Sequence, residues 1–230
     1  VFNGITAAQF GQALNIIDST EREVMISPLS NFNVIVLDQN LKNNSYVTLT
    51  NTNVLRSGSF YDANVTGLNL KLNSENNDYF IEAQGALSTI MNSGETSLGH
   101  TWGVETGKQR GAFAFSGEYY EESDTYSPND LGFLRANNSR VFGLNVAYRD
   151  FSPSFWKLNK FITNASISQE RLYAPNLYGA TFWNLRSIMV NKSFNAWGVV
   201  FNGSMTESND YFEPRVWGEN FIRPIWTSCR

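Results

Sequence analysis

RVFGLNVAYRDF, residues 140–151, decides how the rest of the chain is read. Side chains on a β-strand point alternately to opposite faces. Phe142, Leu144, Val146 and Tyr148 therefore share one face, and Val141, Gly143, Asn145, Ala147 and Arg149 share the other. The first face must be buried in something apolar, which is either a protein core or a lipid bilayer. FNAWGVVFNGSMTES (194–208) repeats the pattern: Trp197, Val199, Phe201 and Met205 oppose Ala196, Gly198, Asn202 and Ser204.

Working outward, period-two segments recur and helical periodicity is nearly absent. NFNVIVLDQNL (31–41) and SYVTLTNTNVL (45–55) flank Lys42, Asn43 and Asn44 as a hairpin. Leu68, Leu70 and Leu72 form a second hairpin with Tyr79, Ile81, Ala83, Gly85 and Leu87 across the turn NSENND. GHTWGVETG (99–107), GAFAFSGEYYEE (111–122), KLNKFITNASISQ (157–169) and YGATFWNLRSIMV (178–190) extend the series. The strands exceed the five or six residues usual in soluble sheets. Short links fall at 42–44, 74–77, 108–110, 151–156 and 191–193, and longer ones at 18–30, 56–62, 92–97, 123–139 and 170–177. In an up-and-down meander every second connection lies at the same end. One rim then carries tight turns and the other loops, which is the layout of outer-membrane barrels.

Composition narrows the classes. Charged residues make up 17% of the chain, below the quarter usual in soluble domains. A net charge of -4 and a pI near 5.1 leave no basic footprint for nucleic acid. Cys229, the single cysteine, can close no internal disulfide, and His100, the single histidine, cannot build a zinc site alone. No apolar run approaches the length of a membrane helix. No GxSxG, HExxH, Walker A, GxGxxG or CxxC pattern stands in the chain, so no catalytic residue and no cofactor is assigned.

The second face discriminates between lipid and core. A soluble sandwich places charged residues on its water side, whereas this face carries Gly143, Asn145 and Ala147, or Ala112, Ala114 and Ser116. Small polar residues suit the interior of a closed barrel. The bulky set Phe142, Leu144, Val146, Tyr148, Trp197, Val199 and Phe201 is then expected to face lipid. Tyr119, Tyr120, Tyr148, Phe151, Phe155, Trp156, Tyr173, Tyr178 and Tyr211 cluster near the expected strand ends, where rings sit at headgroup level. The long loop SDTYSPNDLGFLRANN (123–138) faces solvent or folds into the lumen. Its Asp124, Asn129, Asp130 and Arg135 are the polar candidates for function, the aspartates being oxygen ligands of the kind hard cations take, without EF-hand spacing.

FNGIT (2–6), PLSNFNVIVLDQNLKNNSYVTLTNTNV (28–54), YDANVTGLNL (61–70), SPNDLGFLRANN (127–138) and YFEPRVWG (211–218) carry a resemblance. With LDQN, NDLGFL and FEPR in this order, the chain resembles the C-terminal region, domain of unknown function 5916, of large bacterial proteins that begin with a family-nine carbohydrate-binding-like domain. The resemblance implies a Gram-negative outer-membrane β-barrel, with any glycan partner handled by an N-terminal domain that this chain lacks. It supplies no catalytic residue. It also implies a region longer than this chain, whose start inside a strand and finish at FIRPIWTSCR are those expected of a fragment.

The expectation is an all-β, antiparallel up-and-down meander of long strands: one region over 1–230, part of a transmembrane outer-membrane β-barrel, seen alone as an open curved sheet. Its partner would be the bilayer, and its role structural or transport. The alternative is a soluble all-β module that binds or hydrolyses glycans.

Overall fold

Strand follows strand through the computed structural model, which describes residues 1–16, 20–214 and 218–229; no helix occurs among them. In chain order the strands are β1 (Phe2–Thr6), β2 (Gln9–Leu14), β3 (Glu21–Ser27), β4 (Ser30–Asn40), β5 (Tyr46–Arg56), β6 (Asp62–Asn73), β7 (Tyr79–Asn92), β8 (Glu95–Lys108), β9 (Phe113–Glu122), β10 (Ser139–Asp150), β11 (Leu158–Arg171), β12 (Tyr178–Asn191), β13 (Ala196–Ser204), β14 (Ser208–Asp210), β15 (Phe221–Arg223) and β16 (Thr227–Cys229). Twelve of them form one sheet in the order β1-β4-β5-β6-β7-β8-β9-β10-β11-β12-β13-β16. Every pairing in it is antiparallel. The sheet is not closed: β1 pairs only with β4, and β16 only with β13. Strand pairs β2–β3 and β14–β15 are small separate ladders that prolong two connections at the same rim.

The sheet curls. A space of about 500 Å³ touches Phe80 on β7, Glu105 on β8, Ala114 on β9, Asn145 on β10, Asn164 on β11 and Arg186 on β12. Six adjacent strands laid flat would stretch roughly 24 Å at 4.8 Å per strand. One space of that size reaches all six because the face they share is concave. The convex face carries the other alternate residues, Phe142, Leu144 and Val146 among them.

Two kinds of rim follow from the connections. At one end lie 41–45, 74–78, 109–112, 151–157 and 192–195; at the other lie 57–61, 93–94, 123–138, 172–177 and the two connections that contain the short ladders. The turn at 93–94 corrects the longer link expected at 92–97. Ser93 and Gly94 both take positive φ, 42° and 95°, a twist that matches the right-handed twist of the flanking strands and allows a two-residue hairpin. The expected loop 56–62 is likewise only 57–61, no longer than turns of the opposite rim. Of the expected loop 18–30, residues 18 and 19 lie outside the described residues, and 21–27 is strand β3. The difference between the rims therefore rests on 7–29, 123–138 and 205–226.

Candidate functional site

Burial is inverted on this sheet. Among the described residues the buried apolar side chains are only Val54, Ala63, Ala114, Tyr126, Leu158 and Ala180. On the convex face Phe142 is 45% exposed, Leu144 61%, Val146 52% and Trp197 52%. Phe201 is exposed as well, and Tyr148 and Val199 are half-buried. The seven residues singled out by alternation thus lie on one side of the sheet and do not converge on a shared interior.

Aromatic rings cluster at two levels of this face. Toward the long-loop rim Tyr119 packs between Trp102 and Phe142, each with ring centroids 4.8 Å away. Toward the other rim Tyr148 packs on Phe113 and Phe161, and Phe155 meets Phe161 and Trp156 edge-on. Between them the face carries Leu144, Val146, Ile167 and Leu185 together with Phe115, Trp183 and Phe201.

One charged cluster interrupts it. Following the pairing register across the sheet gives the row Arg171, Arg140, Glu121, Trp102, Gly85, Leu68, Leu49, Leu37. Glu121, whose side chain is only 10% exposed, accepts bonds from Arg140 through Nε at 2.9 Å and a terminal nitrogen at 2.7 Å, from Trp102 Nε1 at 3.1 Å, and from the Tyr119 hydroxyl. His100 Nε2 lies 3.5 Å from Oε1, the oxygen that Trp102 also reaches, while Arg140 and Tyr119 are on Oε2. Arg140 sits 5.3 Å from the Tyr173 ring centroid, and His100 meets that ring edge-on. Two to six residues closer to the rim, on β1 and β4–β6, Asn3, Asn31, Asn33, Asn51, Asn64 and Thr66 form a ladder of side-chain hydrogen bonds.

The concave face is small and polar because it is crowded. A Cβ on Gly143 would overlap the Glu118 carboxylate, and one on Gly99 would overlap the backbone of Thr125 and Tyr126. The second clash arises because loop 123–138 folds over this face. Thr125 Oγ1 donates to Leu98 O at 2.7 Å on β8, Ser127 N donates to Ser88 Oγ at 3.1 Å on β7, and Asp130 pairs with Arg56 on β5. Tyr61 donates its hydroxyl to the same Asp130 at 3.1 Å; burial and that carboxylate together push the Tyr61 phenol up. Tyr126, within the loop itself, is buried, and burial raises its phenol too. Next to the well-bonded Glu121, Glu122 points to this opposite face and is buried, with Oε1 lacking any partner and Oε2 3.4 Å from Ser139 Oγ.

Gly99→Val is expected to lift this loop, since the added side chain and the loop backbone cannot share the space. Hydrogen exchange at the Ser127 amide should accelerate by roughly tenfold, the loss of one hydrogen bond. Exchange unchanged from the parent chain would show that the loop is not held by this seat.

A second inner space, of about 550 Å³, opens at the same rim beneath the β14–β15 ladder. Phe182, Tyr211 and Trp226 supply rings, and Glu170, Asp210 and Arg223 supply charge. Arg223 holds Asp210 at 2.7 Å. Partial burial would raise the Asp210 carboxyl, but the amides of Glu213 and Phe212 together with Arg223 bring it below the usual range.

The four loop candidates do not converge. Asp124 is exposed, Asn129 accepts the Leu134 amide at 2.6 Å, Arg135 is exposed, and Asp130 is committed to Arg56 and Tyr61. No group of three or more His, Cys, Asp or Glu suited to a metal occurs among the described residues. The Glu121 cluster was not legible from alternation alone; its only signal was a carboxylate on the same side as Tyr119 and Phe115.

No curated protein and no solved structure matches the chain. A family model described as a domain of unknown function, DUF5916, matches residues 1–230 from end to end, and the chain belongs to that family.

Proposed function

We propose that the sheet is wall of a bacterial outer-membrane β-barrel, with its convex face against acyl chains and its concave face lining a hydrophilic interior narrowed by loop 123–138. The role is structural or in transport. The observation that carries this reading is the band on β10, where Phe142, Leu144, Val146 and Tyr148 stand between Arg140 and Asp150. Ten residues at roughly 3.4 Å each, tilted by about 40°, give about 26 Å of height, close to the apolar band of outer-membrane barrels. Aromatic rings near both ends of that band fit the two girdles. In a bilayer the free edges β1 and β16 need hydrogen-bonding partners, supplied by each other or by further strands.

A second reading, a soluble all-β module that binds glycans, draws on the rim cavity, where Phe182, Tyr211 and Trp226 stand beside Asp210 and Arg223. Rings against which sugars stack, beside charged hydrogen-bonding groups, are what such a module offers.

Phase partitioning separates the two. The chain expressed in a Gram-negative host is expected in the detergent phase of the outer-membrane fraction, with gel migration that changes on boiling. A soluble monomer in the aqueous phase would overturn the barrel reading and favour the module.

A further inference from the structure

We infer that the inner cavity beneath the β14–β15 ladder binds an amine-bearing sugar, with Glu170 receiving the ammonium group and the rings of Phe182 and Trp226 receiving the pyranose faces. The inference rests on the sugar-binding reading of this cavity and deepens it by naming the sugar; it is independent of what the convex face meets. A space of about 550 Å³ lies within the range of small-ligand sites. Glu170 pairs across strands with Val141 on β10 and Ala180 on β12. Phe182, two residues on from Ala180, is its diagonal neighbour, at a separation that long and aromatic side chains span. Phe182 pairs in turn with Ser204, whose Oγ accepts the Trp226 amide at 3.2 Å and whose amide donates to Trp226 O at 3.0 Å. Trp226 is therefore fixed by its backbone beside β13. The Tyr211 hydroxyl and Asn209 Nδ2 both donate to Tyr178 O, at 2.9 and 3.1 Å, which pins the ladder over the start of β12.

Charge chooses the sugar. Glu170, Arg171, Asp210 and Arg223 are the charged residues around the cavity. Asp210 and Arg223 answer each other at 2.7 Å. Arg171 follows Glu170 on β11, where successive side chains take opposite faces, and its guanidinium is held by Asn176, through Nε to Oδ1 at 2.8 Å and a terminal nitrogen to O at 3.3 Å. Glu170 is left over. It is exposed, and among the described residues no ion pair or hydrogen bond engages its carboxylate. Ser139, Val141 and Ala180 around it carry no charge, and Glu122, 3.4 Å behind Ser139 Oγ, brings a further carboxyl rather than a cation. An unanswered carboxylate beside aromatic rings fits a protonated amine, which gains a charge-assisted hydrogen bond from the first and attraction to the ring faces from the second. A neutral sugar would leave that charge unmatched.

The test is calorimetric titration of the folded chain in detergent micelles with two trisaccharides of the same backbone, the glucosamine trimer with its amines protonated and its fully N-acetylated, neutral counterpart. The amine form is expected to bind more tightly by a factor on the order of ten, the worth of one hydrogen bond between charged groups. Glu170→Gln keeps the shape of the side chain and removes the charge, so the preference should fall to about one while the neutral trimer binds as before. Val141→Lys supplies the missing cation from the direct cross-strand partner of Glu170 and should abolish the preference as well. The circular-dichroism spectrum is the measure of folding for both variants, and should Glu170→Gln fail to fold, Val141→Lys decides.

Equal affinity of the parent chain for the two trimers overturns the choice of an amine and leaves the sugar reading of the cavity standing. A preference that survives the deciding substitution also overturns it, and assigns the attraction to the acidic chain as a whole, whose net charge is -4. Binding of neither trimer overturns the inference together with the sugar reading of the cavity.

Discussion

Leu144→Arg is expected to cost about 2–4 kcal/mol of stability in the bilayer, and Phe201→Arg about the same, while arginine at Asn145 or Asn202 is tolerated. The four positions form two matched pairs. Leu144 and Asn145 are neighbours on β10 near the middle of the strand, and Phe201 and Asn202 are neighbours on β13. Within each pair the backbone environment is nearly the same and only the face differs. Leu144 and Phe201 point from the convex face, where in the proposed barrel an arginine would sit in hydrocarbon; Asn145 and Asn202 point into the concave side, which already holds Arg149, Arg186 and Glu105. Three strand spacings, about 14 Å, separate the two convex sites, so their costs should add. Denaturant unfolding of the vesicle-inserted chain measures all four. Equal tolerance at the four positions would remove lipid from the convex face.

The second large effect is expected at Glu121. Glu121→Gln keeps the shape of the side chain but removes the charge that Arg140 needs, and breaking a largely buried ion pair this way costs about 3–5 kcal/mol. Arg140→Gln should cost a similar amount, because Glu121 would retain only Tyr119, Trp102 and His100 as donors. The double substitution should cost clearly less than the sum, since neither charge is then stranded. Glu122→Gln is the control one residue away: its Oε1 has no partner to lose, and removing an unpaired buried charge should be neutral or stabilising. If Glu121→Gln and Glu122→Gln behaved alike, the network around Glu121 would have no energetic role.

Alternation alone placed most of the wall. The order of the strands from β4 to β13, their length and the division of β10 and β13 into a bulky and a small face all follow from period two, because over that stretch each strand pairs with its sequence neighbour. Two kinds of feature escaped. At 92–97 polar residues looked like a loop, yet Asn92, Glu95 and Thr96 continue the strands once Ser93 and Gly94 make the turn. The seat of the long loop escaped for another reason: Asp130 meets Arg56 across 74 residues, and no local pattern pairs them. The composition of the loop made Asp130 a candidate oxygen ligand for a cation, whereas its carboxylate is paired with that arginine.

That tether also sets an order of assembly. Neighbouring hairpins of the meander close over short sequence distances, and such contacts form early; a contact across 74 residues repays its chain entropy only after the intervening strands are in place. The loop should therefore be the last piece of β5–β10 to settle, and a late kinetic phase should vanish when Arg56 or Asp130 is replaced, with the wall itself assembling at an unchanged rate.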